Sequence, residues 1–475
     1  MKSISKKIGN SRLFLFVFPL LFYIFFCFFD GVIICVDSPT YINMALSREP
    51  FYPTFLAINR ALFGEGYLKV VVLWQSLLMA YAVYRISYFV QREFALPTFV
   101  GWILEMVCIA TSLLCRFVAQ RGSMYSNSIM TEGICISLFL LFSQLALDYL
   151  FHDNRRSLFG AVICSFIMIS SRKQMYITVI LLVVIVLYVH IMQKKTWRKG
   201  VLCILAVLFG IIGCNKGFEY SYSYAIHGET ASHFNDNRFL ATMIFFVAEP
   251  EDASFIQDTE IRDLFEDILT ICTDSGYTRQ TCQESSLRGR VSFFADHYDH
   301  IQIDTMWPMI EDFSAGKISN AENLVARETM TDGVTSQIIR DLLPHTWMRI
   351  AEIFWGSCMH GYFNTVAKDH SVINILSVLL GIMYFVLLGI QIKKDLVCAK
   401  VKKAETQEEQ ERGILSKTGL LGIYVIASMG LNIVIVSMVI FCQTRYMIYN
   451  MPLFYIALIV LLISAIRYTK SDSKE

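Results

Sequence analysis

Charge and proline are both scarce in this sequence: Asp, Glu, Lys and Arg supply 17% of the 475 residues, and proline occurs nine times. Soluble domains carry roughly a quarter charged residues, so the chain is not an ordinary soluble enzyme. No Cys-x-x-Cys and no His-Glu-x-x-His occurs, so there is no strong metal-site signature. Asn-x-Ser/Thr is also absent, which fits a bacterial plasma membrane slightly better than a eukaryotic secretory membrane. The net charge is only +1, from 41 basic and 40 acidic residues. No nucleic-acid partner is expected.

Apolar residues are abundant, at 55% of the chain with a mean hydropathy of +0.50, and they come in long blocks. A helix needs about 20 apolar residues to cross a bilayer. The blocks predict an all-α polytopic membrane protein with ten spans, near 13–36, 68–90, 97–115, 129–150, 157–171, 176–193, 200–215, 371–392, 417–441 and 447–466. With the N-terminus inside, the cytoplasmic segments hold 22 Lys and Arg and the short outer segments 8. That is a positive-inside pattern. It depends on reading 157–193 as two crossings, the first a short helix of about 15 residues, or roughly 22 Å.

Three regions follow. Residues 1–215 form an N-terminal transmembrane module whose first outer loop is 37–67. Residues 216–370 form an extracytoplasmic, mainly helical soluble region. Residues 371–475 form a C-terminal transmembrane module with a cytoplasmic loop at 393–417. The middle region carries 24 acidic against 11 basic residues and seven of the nine histidines, which show no metal-ligand spacing. Helical patches are expected at Thr259–Ile271 and Val334–Leu343. Cys272 and Cys282 lie close enough in sequence for a disulfide, in a compartment that permits one.

Chemistry is expected just after the first span. There the chain reads Asp37-Ser38-Pro39-Thr40-Tyr41-Ile42-Asn43-Met44-Ala45, then Arg48-Glu49-Pro50-Phe51-Tyr52-Pro53. Ser-Pro can open a short helix over 39–46, with Tyr41, Ala45 and Leu46 on one side. Pro50 and Pro53 precede a second amphipathic helix, 54–63. An acidic residue where a span leaves the membrane meets both water and headgroups. Asp37 can act there as a base or cap the helix behind it. Asp30 competes for the base role from inside the span, while Glu105 reads as a bundle-facing, paired group.

This arrangement resembles the GT-C superfamily of polytopic glycosyltransferases, of the protein-mannosyltransferase and aminoarabinose-transferase type. The resemblance rests on Asp37, the DSPTYINMA run and REPFYPTFLAINRALFG. It extends to Thr131-Glu132, Ser171-Arg172-Lys173 and Thr444-Arg445-Tyr446, and it covers roughly 13–215 and 371–466. It implies transfer of a sugar from a polyprenyl-phosphate donor to an extracytoplasmic glycan, lipid or protein acceptor, with inversion. Asp37 would be the general base. Cations on the same face, Arg48, Arg116, Arg121, Arg172, Lys173 and Arg445, would receive the leaving phosphate. Glu132 would bind a metal, hold a sugar hydroxyl or orient a cation, and Tyr41 would stack on the sugar. The family's acidic–basic pair is reversed here as Arg48-Glu49, so no metal is assigned to Glu49. A divalent cofactor stays open. The alternatives are a lipid-linked-sugar flippase or transporter and a surface-polysaccharide polymerase.

Overall fold

The structure, a computed structural model, describes residues 2–118, 122–193, 196–231, 234, 237–319, 323–405 and 415–472. Among these the chain is helical throughout, and its only β feature is a single parallel bridge between Ile33 and Ser128. Nine helical stretches of the described residues are long and apolar enough to cross a membrane: Leu13–Asp30, Phe51–Glu93, Thr98–Phe117, Glu132–His152, Lys173–Met192, Trp197–His227, Ser371–Lys400, Lys417–Ser437 and Met451–Tyr468. The chain is a polytopic helical membrane protein. The sequence predicts ten spans. The difference is the fifth, which forms a helix at Arg155–Ile169 but has only 15 residues.

The helices divide between two compact units. The first unit, residues 1–218, 365–431 and 447–475, starts with α1 (Lys2–Asp30), α2 (Ser38–Ile42), α3 (Phe51–Phe63), α4 (Tyr67–Glu93), α5 (Thr98–Val118), α6 (Glu132–His152), α7 (Arg155–Ile169), α8 (Ile177–Tyr188) and α9 (Trp197–Leu208). α9 runs on through a π-helical turn at Phe209–Gly213 into α10 (Cys214–His227), one unbroken helical run whose residues from Glu219 onward are assigned to the second unit. α6 is apolar on all sides, and the sequence can bury such a helix only at the middle of a bundle. It is accordingly 83% buried, packed against α4 and α7.

α1 ends where Gly31 takes φ +65°, a left-handed turn that costs glycine little. The chain beyond it is pinned to the segment before α6: Ile33 N–H donates to Asn127 O at 3.0 Å, and Ile129 N–H to Ile33 O at 3.0 Å. Phe51 N–H reaches Ser170 O at 2.8 Å, so the starts of α3 and α6 and the end of α7 share one end of the bundle. At the opposite end Lys417 Nζ donates to Glu93 Oε2 at 2.8 Å and lies 2.9 Å from His152 Nε2. Arg467 there donates to the carbonyls of Phe94 and Ala95.

The second unit, residues 219–364 and 432–446, is built from α11 (Asn237–Val247), α12 (Thr259–Asp274), α13 (Leu287–Asp299), α14 (Trp307–Lys317) and α15 (Leu324–Val366). α11 is as apolar as a span but only eleven residues long, and it is the centre of the unit's core instead, where its own Phe245 and Phe246 meet Phe265 and Phe294, all four fully buried. The patches expected at Thr259–Ile271 and Val334–Leu343 fall in α12 and in the middle of α15. Residues 432–446 are stitched to α15: Cys442 N–H donates to Ser357 Oγ, and Asn364 Nδ2 to Cys442 O. Cys272 and Cys282 are free thiols. The last helices are α16 (Ser371–Glu405), α17 (Lys417–Ser437), α18 (Thr444–Met447) and α19 (Met451–Asp472), of which α16 and α19 pack together in the first unit.

Candidate active site

Eight of the ten residues singled out from the sequence, all but Arg121 and Arg445, lie at the end of the first unit where α2, α3 and α6 begin. Asp37 sits just before α2, with helical backbone angles and no side-chain hydrogen bond to the helix behind it. The capping role open in the sequence is therefore not the one its carboxylate takes. α2 is also shorter than the helix expected over 39–46, closing at Ile42, because Met44 turns into the left-handed region at φ 55°.

The turn brings Arg48 back onto Asp37. Its Nη2 donates to Asp37 Oδ1 at 2.9 Å, its Nε to Thr40 Oγ1 at 2.7 Å and its Nη1 to the Tyr41 hydroxyl at 3.2 Å. Its guanidinium also lies 4.5 Å from the centre of the Tyr41 ring. Three donors in a rigid fork fix the direction of the carboxylate, which a lysine's point charge could not do. The pair is part-exposed, with 28% of the Asp37 side chain open.

A second pair lies deeper. Glu132, the first residue of α6, is fully buried, and Arg172 Nη1 donates to its Oε1 at 2.6 Å. Arg172 follows the end of α7, so this bond joins residues 40 positions apart in sequence. Tyr41 lies between the two pairs. Burial pushes its phenol above the usual range; Arg48 and Arg172 draw it down, while Glu132 and Asp37 push it up. It stays neutral and polar where the charges converge.

Lys173 Nζ stands 3.8 Å from Glu49 Oε1, the loosest pair at this end. Arg116 pairs with Asp30, lying over Phe26 and Phe29 at 5.2 and 5.8 Å. Asp30, the rival base, is therefore held by a guanidinium within the bundle. Arg121 falls outside the described residues. Arg445 belongs to the second unit, where it lies 5.9 Å from the Tyr446 ring centre. Glu105, expected to be paired, is buried with no hydrogen-bond partner for either oxygen among the described residues.

The organising residue missed in the sequence is Gln75 of α4. Its Oε1 accepts from the Tyr52 hydroxyl at 2.8 Å, and its Nε2 donates to Ser126 O at 2.9 Å and to Ser128 O at 3.1 Å. Tyr52 in turn packs edge-on against Tyr41, 5.3 Å between centres. One amide thus ties the segment leading to Glu132 to the aromatic pair beneath Arg48. The available signal was a lone glutamine inside an apolar run. A narrow cavity adjoins this end, with Tyr23, Thr111, Tyr125, Ser126 and Glu132 on its wall.

Among the described residues no three His, Cys, Asp or Glu converge. Asp30, Asp37, Glu49 and Glu132 each face a guanidinium or an ammonium instead. Such a set, four carboxylates against four cations, can exchange partners with an incoming anion and can hold a proton acceptor at the mouth. No protein-family model, no curated protein and no solved structure matches this chain.

Proposed function

We propose that the chain is a membrane glycosyltransferase that moves a sugar from a polyprenyl-phosphate donor to an extracytoplasmic acceptor by inverting displacement. In this reading α7 is a tenth, short crossing, and the N-terminus and the Lys417 end face the cytoplasm. The Asp37 end faces the outside of a cell membrane, and the second unit is an outer soluble region that selects the acceptor. The carrying observation is the gathering of the Asp37–Arg48 and Glu132–Arg172 pairs around Tyr41 at one end of the bundle.

The residues divide the reaction as follows. Asp37, the more open carboxylate of those two pairs, takes the proton of the acceptor hydroxyl as its oxygen attacks the anomeric carbon. The bond from that carbon to the phosphate oxygen breaks, and its electron pair leaves with the polyprenyl phosphate. Lys173 and Arg48, both more exposed than Arg172, meet that growing charge. Glu132 holds Arg172 in position, and Tyr41 lines the sugar. No step is routed through a metal.

The test is sugar transfer or release from a panel of radiolabelled polyprenyl-phosphate sugars by purified protein in lipid, wild type against Asp37→Asn. Loss of a positioned general base lowers turnover by roughly 10²–10⁴-fold. Equal turnover in the two folded proteins overturns Asp37 as base. Silence with every donor, with and without cell-envelope acceptors, overturns the transferase reading.

A further inference from the structure

The C-terminal half of α15 shows an apolar surface that the second unit does not cover. At about 100° per residue, Pro344, Trp347, Met348, Trp355, Met359 and Tyr362 fall within one arc of roughly 120°. Trp347 is 56% exposed, Met348 64%, Trp355 64% and Met359 51%. Isolated exposed apolar side chains are ordinary, but a continuous uncharged stripe holding two tryptophans is not. The charges bordering it are engaged within the unit: Glu352 with Arg279 and Arg290, and Arg349 with Glu249 and Asp252.

The same helix changes character along its length. The exposed residues before Pro344 are Leu324, Thr329, Gly333, Ser336 and Arg340, of which one is a large apolar residue, and those after His345 are the tryptophans and methionines. The apolar half is the one nearer in sequence to the span Ser371–Lys400. Tyr362 precedes Ser371 by nine residues, a length of chain that reaches at most ~30 Å. Tryptophan and tyrosine concentrate where headgroups meet acyl chains, since their rings are apolar and their N–H and O–H groups are not.

We infer that the 344–362 face of α15 lies in the headgroup–acyl boundary of the bilayer. It is a lipid-docking surface that tethers the second unit to the membrane by its side, in addition to its chain connections. The occupant is the lipid surface itself, not a partner protein or a second copy. The inference does not depend on the transferase reading.

The experiment uses the full chain in nanodiscs holding one copy each. Emission of wild type minus Trp355→Phe isolates Trp355, and Trp347→Phe does the same for Trp347; both replacements keep an apolar ring. The expected result is blue-shifted difference emission that loses most of its intensity to lipids brominated near the headgroup and little to aqueous iodide. Red-shifted emission quenched by iodide overturns the proposal. Shielding that appears only when two copies share a disc also overturns it, in favour of self-association. A second reading needs no substitution: wild type is photolabelled with a lipid carrying a headgroup-level diazirine. Adducts should map to 344–362 and not to 333–340, and the reverse pattern overturns the assignment.

Discussion

At the scale of single residues, the notable property of the Asp37 end is that its cations are already matched. A phosphate cannot simply fall onto a waiting guanidinium; it has to compete with a carboxylate for it. Competition is easiest where the pair is loosest, at Lys173, whose ammonium stands 3.8 Å from Glu49. Lys173→Ala should therefore lower kcat/KM for a lipid-phosphate donor on the order of tenfold, about 1.4 kcal/mol of charge-assisted bonding, with much of the loss in kcat because the phosphate charge grows as the bond breaks. Steady-state kinetics over a donor titration reads kcat and KM separately, and an unchanged kcat contradicts the assignment. The second unit offers a titration of its own. Burial pushes the Cys272 thiol from 9.0 up to about 11, with the Thr305 hydroxyl drawing it down by less. The folded state thus favours the protonated thiol. Its contribution is complete below pH 9 and is lost as pH rises from 9 toward 11, on the order of 2–3 kcal/mol. Thermal melts across that range should fall for wild type and fall less for Cys272→Ala. What the sequence revealed at this scale was residue type and order: Asp37, Arg48, Glu132 and Arg172 were visible as charges beside apolar runs. Which charge met which was not, because Arg48 reaches Asp37 only through the left-handed turn at Met44. Gln75 was hidden for a different reason. A single amide in a span looks like any helix-surface polar group until its three partners are known.

At the scale of elements, helix existence followed from apolar block length, while helix ends followed from local geometry the blocks do not encode. The span expected at 68–90 is the later part of a helical stretch that begins at Phe51. The short helix near 157–171 exists as α7, but at 15 residues it is below the ordinary spanning length. α6 and α4 approach closely where Gly133 faces Gln75: a Cβ built at Gly133 lies 2.6 Å from the Gln75 amide. Gly133→Ala should push that amide off Tyr52, Ser126 and Ser128, leaving buried groups unpaired at about 1–3 kcal/mol for each. Stability in detergent should drop, and Gln75→Ala should relieve the clash while leaving the same partners unsatisfied. If Gly133→Ala is as stable as wild type, the amide is not the tie described. α11 carries the opposite lesson: eleven apolar residues read like a piece of span but form the middle of a soluble-type core, because length decides which solvent an apolar helix needs.

At the scale of the molecule, the first unit has two chemically distinct ends. One gathers Asp30, Asp37, Glu49 and Glu132 with their cations; the other gathers Glu93, Asp148, His152 and Lys417. If the proposed orientation holds, a fluorescent cytoplasmic reporter fused after Asp153 should light up and one fused after Gly64 should stay dark, with an export-dependent enzyme giving the mirror result. Matching signals at the two sites refute the orientation without touching the chemistry. The Lys417 cluster has one more consequence, in time rather than in space. Lys417 lies 265 residues after His152. At roughly 5–20 residues per second, the ribosome delivers it some 13–53 s after the histidine is made. For that interval the nascent bundle carries Glu93 without its lysine, so the Lys417 end is locked later than the Asp37 end, whose pairs all lie within residues 30–173.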